Sequence, residues 1–175
     1  MTTDFRFSLE QLNDYVNGCL DEYLDFLESL EKHKEFRNRS IESLKFPFPS
    51  FRPGQRDMAK NVYKTILDGG TFFMEAPTGI GKTMSALFPA IKAFEESQTE
   101  KIFYLTAKST GRESAYNALT KLYENGLIAR DSILKAKEKM CFNPGTPCNP
   151  DECPFAKGYY DKIRKVTKEA LDSNR

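Results

Sequence analysis

Residues 76–83 read Ala-Pro-Thr-Gly-Ile-Gly-Lys-Thr, and three cysteines follow at Cys141, Cys148 and Cys153. The first group has the chemistry of a phosphate cradle. A polyphosphate needs several backbone N–H groups converging on one small concavity, an approach that side chains would block and that Gly79 and Gly81 leave open. Lys82 is expected to reach the β and γ phosphates of a nucleotide such as ATP as a point charge. The Thr83 hydroxyl is expected to take one coordination position on the bridging magnesium (Mg2+). Ala76, Pro77, Thr78 and Ile80 complete the loop. The second group has the chemistry of a metal site. Pro144, Pro147, Pro150 and Pro154 lie among or beside the cysteines, and a stretch this short of core residues needs a staple that thiolates on a metal can provide. The cysteine spacings, six intervening residues and then four, match neither a zinc finger nor a ferredoxin run, so spacing leaves zinc and iron–sulfur both open.

A phosphate loop needs a strand before it and a helix after it. Thr71–Glu75 is a short apolar run suited to a buried parallel strand. From Lys82 onward, Met84, Leu87, Phe88, Ile91 and Phe94 fall at helical spacing, which aims a helix N-terminus at the phosphates. After a polar linker at residues 95–100, Lys101–Thr106 reads as a second strand, giving a βαβ unit. Thr106, Lys108, Ser109 and Thr110 stand at its carboxyl end, the edge where parallel sheets bind ligands, ahead of a helix with Ala115, Leu119 and Leu122. Asp131–Ala136 reads as a third strand. About 20 residues before the loop stands Phe51-Arg52-Pro53-Gly54-Gln55. The Gln55 amide offers one donor and one acceptor for the N6 and N7 edge of adenine, which the Phe51 ring can cover. The structural alternative is Pro53 opening a helix through Met58, Val62 and Ile66.

The amino-terminal segment predicts a long helix opened by a capping box of Ser8 and Gln11. Leu9, Leu12, Val16, Cys19, Tyr23, Phe26 and Leu30 alternate steps of three and four, widened by Leu20, Leu24 and Leu27, so one face is expected to be buried. That face suits either packing on the next domain or a coiled-coil partner. Cys19 reads as a small core residue and His33 as part of a solvated helix end. Pro47, Pro49 and Pro53 mark a boundary near residues 40–53.

Length and composition bound the rest. A chain of 175 residues suits about one domain. Its 39% hydrophobic and 29% charged content is ordinary for a globular protein, and no apolar run approaches the ~20 residues of a membrane span. Residues 1–7 hold two charges and no apolar core of signal-peptide length, so a cytoplasmic location with reduced or metal-bound cysteines is expected. A formal charge of +1 means that any nucleic-acid contact rests on local patches. One such stretch, Lys157, Lys162, Arg164, Lys165 and Lys168, shares a helix with Tyr159, Tyr160, Ile163 and Val166; its usual meaning is a solvated face.

Ala-x-x-Gly-x-Gly-Lys-Thr after a hydrophobic strand resembles motif I of superfamily 2 helicases, and Phe-Arg-Pro-Gly-Gln resembles the adenine-reading motif that precedes it. Taken with Leu-Thr-Ala-Lys and the cysteine-rich insertion, the order resembles the DinG and XPD group of iron–sulfur DNA helicases. Lys-Glu-Lys-Met-Cys and Cys-Pro-Phe-Ala-Lys-Gly-Tyr-Tyr-Asp-Lys are similar to bacterial DinG-type members with an upstream nuclease domain. The resemblance covers about residues 37–165. It implies an ATP-dependent DNA helicase of repair or replication type moving 5′ to 3′, with ATP, Mg2+ and a [4Fe-4S] cluster as cofactors and single-stranded or forked DNA as partner. By the same match, Thr106, Lys108, Ser109 and Thr110 are implied to hold DNA phosphates, and Cys141, Cys148 and Cys153 to be three cluster ligands.

Two departures shape the expectation. A fourth cysteine ligand and the acidic pair of motif II are missing; Asp151-Glu152 lacks a preceding apolar strand and reads as a solvated loop pair. The expectation is therefore an α/β chain: an amino-terminal helical segment at 1–45, the first part of a RecA-like P-loop lobe with parallel strands at 46–135, and an incomplete iron–sulfur insertion at 136–175. Such a chain is expected to be a helicase fragment that binds ATP and is inactive alone. The alternatives are a RecQ-like helicase fragment and a zinc-binding adaptor with a degenerate nucleotide fold.

Overall fold

The computed structural model describes residues 6–97 and 99–172. The amino-terminal residues 1–5, position 98 of the polar linker and the end at 173–175 lie outside the described residues. The chain divides into two compact units, Met1–Leu127 and Ile128–Arg175.

In the first unit, helix α1 spans Leu9–Ser43. Its start is set by the expected capping box: Ser8 Oγ accepts from the Gln11 backbone N–H at 3.1 Å, and Gln11 Oε1 accepts from the Ser8 N–H at 2.9 Å. Its buried residues, Ser40 and Ile41, both lie near its carboxyl end. The apolar stripe from Leu9 to Leu27 is exposed, contrary to the expectation of a buried face. Helices α2 (Gln55–Asp68), α3 (Lys82–Lys92) and α4 (Ser109–Glu124) pack in sequence, α2 on α3 and α3 on α4. Met84, Leu87 and Ile91 from α3 and Leu122 from α4 are buried as the helical spacing predicted, joined by Ala59 from α2 and Ala118 from α4, whereas Met58, Val62, Ile66, Ala115 and Leu119 are only half-buried. Pro53 precedes α2 but does not open it. Gly54, at φ 75°, occupies the N-cap in the left-handed region.

The segment between α1 and α2 is packed. Phe46 stacks on Phe51 with centroids 3.9 Å apart and meets the Phe88 edge at 5.4 Å, while Lys121 lies over the Phe48 ring. Lys92, the last residue of α3, donates to the Ile41 carbonyl at 2.6 Å and the Glu42 carbonyl at 3.1 Å. Helix α1 has no basic residue in its last turn, so this ammonium answers its negative dipole end. The Arg37 guanidinium sits over the Phe94 ring, and partial burial lowers its pKa from the ordinary value.

The expected parallel sheet is absent: there is no strand among the described residues, and the α/β, RecA-like assignment is corrected to an all-helical one. Thr71–Glu75, Lys101–Thr106 and Asp131–Ala136 form no strand. A strand exists only through a hydrogen-bonded neighbour, and no backbone bond joins Thr71–Glu75 to Lys101–Thr106. Their apolar side chains accordingly stay in solvent, with Phe73 91% and Leu105 88% exposed. Apolar runs of five or six residues record a tendency to be covered, not the partner that covers them.

In the second unit, α5 (Lys137–Met140) is a single turn and α6 (Tyr159–Asp172) carries the basic stretch. Helix α6 follows Gly158, which stands at φ 67°, so Lys157 of the basic stretch lies just before it. No helix among the described residues is long and apolar enough to cross a membrane.

Candidate nucleotide-binding site

The loop at Ala76–Thr83 has the backbone a phosphate cradle requires. Gly79 and Gly81 both stand at φ 86°, a conformation that costs an L-residue about 1–2 kcal/mol. The loop feeds directly into α3, whose N-cap, Gly81, makes no side-chain capping bond, so the first N–H groups of the helix have no side-chain cap. A Cβ at Gly79 would meet no atom within 4 Å, which leaves that side of the loop open.

Four of the loop's carbonyl oxygens, by contrast, are taken. Lys82 Nζ curls back to donate to Ala76 O at 2.8 Å and Pro77 O at 2.9 Å. The Arg52 guanidinium donates to Gly79 O. Gly81 O accepts from the Ser85 N–H and Ser85 Oγ, each at 3.1 Å, and at 3.5 Å from Gln55 Nε2. Thr83 Oγ1 accepts from the Tyr104 hydroxyl at 3.4 Å.

Phe-Arg-Pro-Gly-Gln lies against this loop. Gln55 is only 3% exposed, and its Oε1 accepts from the Arg52 N–H at 2.9 Å. A Cβ on Gly81 would stand 2.6 Å from Gln55 Nε2, and one on Gly54 would stand 3.2 Å from Ile80 Cδ1. These approaches need glycine on both sides. The structure therefore brings Arg52, Gln55, Gly79, Gly81, Lys82 and Thr83 together, with one face of the Phe51 ring occupied by Phe46. Sequence reasoning missed Ser85, fully buried four residues after Gly81, and Tyr104. A hydroxyl at i+4 from a helix-start carbonyl is a readable signal for Ser85. Nothing local marks Tyr104.

Thr106, Lys108, Ser109 and Thr110 gather where α4 begins and are exposed. Thr106 Oγ1 donates to Lys108 O at 3.0 Å, and Gly111 lets the chain close against Thr106, since a Cβ there would stand 3.0 Å from that side chain.

Cys141 and Cys148 line one cavity beside Lys137, but the expected metal site finds no support. No group of three His, Cys, Asp or Glu side chains among the described residues could hold a metal. Cys141 is half-buried and accepts the Asn143 N–H on its sulfur at 3.3 Å; Cys148 is exposed and hydrogen-bonded to Lys137. That bond is the leading cause of the rise in the Lys137 pKa. Cys153 is buried at 3% exposure. Between Cys148 and Cys153 the chain forms a local turn: Asn149 Oδ1 accepts from the Asp151 and Glu152 N–H groups, and Asn149 O from the Cys153 N–H, and Cys153 is buried while Cys148 is exposed. The three residues do not fit a [4Fe-4S] cluster, and no chemistry is assigned to one. Asp151 and Glu152 belong to the same exposed turn, where Glu152 accepts from Asn149 Nδ2.

Residues 55–141 match the DEAD/DEAH box helicase family. Over 113 residues the chain is 29% identical to a probable ATP-dependent helicase of Methanocaldococcus jannaschii, a match covering 65% of this chain and 17% of that protein's length. No solved structure matches the chain significantly. Both comparisons point to helicases without singling out the DinG and XPD branch, and the chain spans only a small part of that relative's length.

Proposed function

We propose that this chain contributes the phosphate-binding half of an ATP-dependent DNA helicase site. ATP's β and γ phosphates lie over Gly79–Lys82, magnesium is held in part by Thr83 Oγ1, and single-stranded DNA phosphates are held by Thr106, Lys108, Ser109 and Thr110. The observation that carries the reading is the pair of left-handed glycines opening into an uncapped helix N-terminus with Lys82 beside it. On binding, Lys82 would exchange the Ala76 and Pro77 carbonyls for phosphate oxygens, and the Thr83 hydroxyl, now accepting from Tyr104, would be the group that holds the cation. Phe51 and Gln55 border the base. Movement 5′ to 3′ belongs to the same proposal and rests on motif resemblance alone. Motif II is not found in these residues, so the chain is proposed to hold nucleotide without turning it over.

Calorimetry with ATP and magnesium tests this. Binding should be weak and fall at least tenfold in Lys82→Ala, with no hydrolysis by either protein. Unchanged binding in Lys82→Ala overturns the phosphate site, and ATP turnover that disappears with Lys82→Ala overturns the inactive reading. A second arm measures anisotropy of a labelled single strand, where Lys108→Ala should weaken binding and flatten its salt dependence.

A protein-contacting module is the second reading, favoured by the exposed apolar stripe of α1. Failure of nucleotide binding would move weight to it.

A further inference from the structure

We propose that Arg52 is a positioning residue for the phosphate loop: its guanidinium holds the Gly79 carbonyl on one side so that the following N–H is presented on the other. The inference rests on the phosphate-binding reading above and assigns Arg52 to the loop's backbone, not to the base.

The argument starts from the peptide unit. In a trans peptide the C=O and the following N–H point in opposite directions, so fixing one aims the other. Arg52 donates to Gly79 O, which directs the Ile80 N–H away from Arg52. Ser85 and Gln55 hold Gly81 O, which directs the Lys82 N–H in the same manner. A loop built around two glycines at φ 86° has no side chains to enforce such an orientation. In the free protein it would sample many, and ordering them would cost affinity when a phosphate arrives.

Arg52 is fitted to this task by its own anchoring. Its backbone N–H donates to Gln55 Oε1 at 2.9 Å, and its carbonyl accepts from the Gln55 N–H at 3.0 Å, so the residue is tied to the buried start of α2. Gly54 and Ile80 touch between the two segments. The guanidinium thus reaches Gly79 from a fixed base, and its planar fork loses less freedom per bond than an ammonium would. The Gln55 oxygen held by Arg52 is also one of the two atoms that adenine reading would use. This places the Phe-Arg-Pro-Gly-Gln segment first in service of the triphosphate, whatever base it carries.

The test compares the unmodified chain with Arg52→Met and Arg52→Lys, using hydrogen exchange of residues 76–83 without ligand, then titration with inorganic tripolyphosphate, ATP and CTP. Arg52→Met should speed exchange across the loop and weaken all three ligands by a common factor of roughly tenfold, with Arg52→Lys intermediate. Unfolding monitored by circular dichroism should match the unmodified chain, because Arg52 is exposed. Two results overturn the proposal: loop exchange that Arg52→Met leaves unchanged, or a loss confined to ATP, which would make Arg52 a base reader. If no ligand binds even the unmodified chain, the phosphate-binding reading fails, while the exchange measurement still judges whether Arg52 orders the loop.

Discussion

The phosphate loop and the cysteine segment each contain a glycine at φ 86°, Gly81 in one and Gly145 in the other, yet the surroundings differ completely. At Gly81 a Cβ would stand 2.6 Å from the Gln55 amide; at Gly145 it would meet nothing within 4 Å. The first glycine belongs to a loop whose carbonyls are gripped by Arg52, Ser85 and Lys82 from neighbouring helices and turns. The second belongs to a loop whose bonds are local, Thr146 N–H to Asn143 O and Asn149 N–H to Pro147 O. The same backbone conformation thus serves as a joint between elements in one place and as a bend in the other. A site whose geometry comes from glycine backbone is assembled once its helices pack. A site that needs thiols from three separate turns is not assembled by any of those turns.

The sharpest way to break this comparison is to place alanine at both glycines. Gly81→Ala should cost about 3 kcal/mol by chemical denaturation, combining left-handed strain with displacement of Gln55, and should abolish nucleotide binding. Gly145→Ala should cost only the strain, about 1 kcal/mol. Equal losses would mean that the Gln55 contact contributes nothing.

Thiol labelling sharpens the other side. Exposed Cys19 and Cys148 should react with iodoacetamide at least roughly tenfold faster than buried Cys153, with Cys141 between them. Uniform labelling of Cys148 and Cys153, read by peptide mass spectrometry, would show that Cys153 is not shielded as its burial requires.

The smallest effect concerns Tyr63, whose phenol pKa is raised above the ordinary 10.0, first by its hydrogen bond to Glu96 and then by burial. Because the folded-state pKa is raised, the contribution is complete below about pH 10 and is lost as pH rises through the folded value. Tyr63→Phe should flatten the alkaline limb of a thermal-stability profile by roughly a few tenths of a kcal/mol, since the pair is screened by solvent. An unchanged limb would remove Glu96 from the set of contacts tying α2 to the end of α3.

Much of this molecule is legible in its sequence, and the reasons are local. Ser8 and Gln11 announce the start of α1 because a capping box is complete within four residues. Gly81-Lys82 announces α3, and Met84, Leu87 and Ile91 announce its buried face. The strands are not legible, because Thr71–Glu75 and Lys101–Thr106 carry strand composition while their state depends on a neighbour that no residue within them specifies. The site divides the same way. Gly79, Gly81, Lys82 and Thr83 are readable as a unit, whereas the bond from Arg52 across 27 positions to Gly79 follows from tertiary packing. The three cysteines suggest a shared ligand by proximity in sequence, but their surroundings differ, Cys141 half-buried, Cys148 exposed and Cys153 buried, and nothing in the spacing shows this.

Helix α3 begins at the phosphate loop and ends at Lys92, which grips the carboxyl end of α1. Mechanically this is a short arm joined to a long one: about 16 Å of α3 against about 52 Å of α1, at 1.5 Å per residue. With the buried residues of α1 confined to the end near that joint, a tilt of one degree there would carry Leu9 by about 0.9 Å, on the same rise per residue. A displacement too small to see at the loop would be several times larger at the far tip, so a label placed near Leu9 would serve as a pointer for events at Lys82.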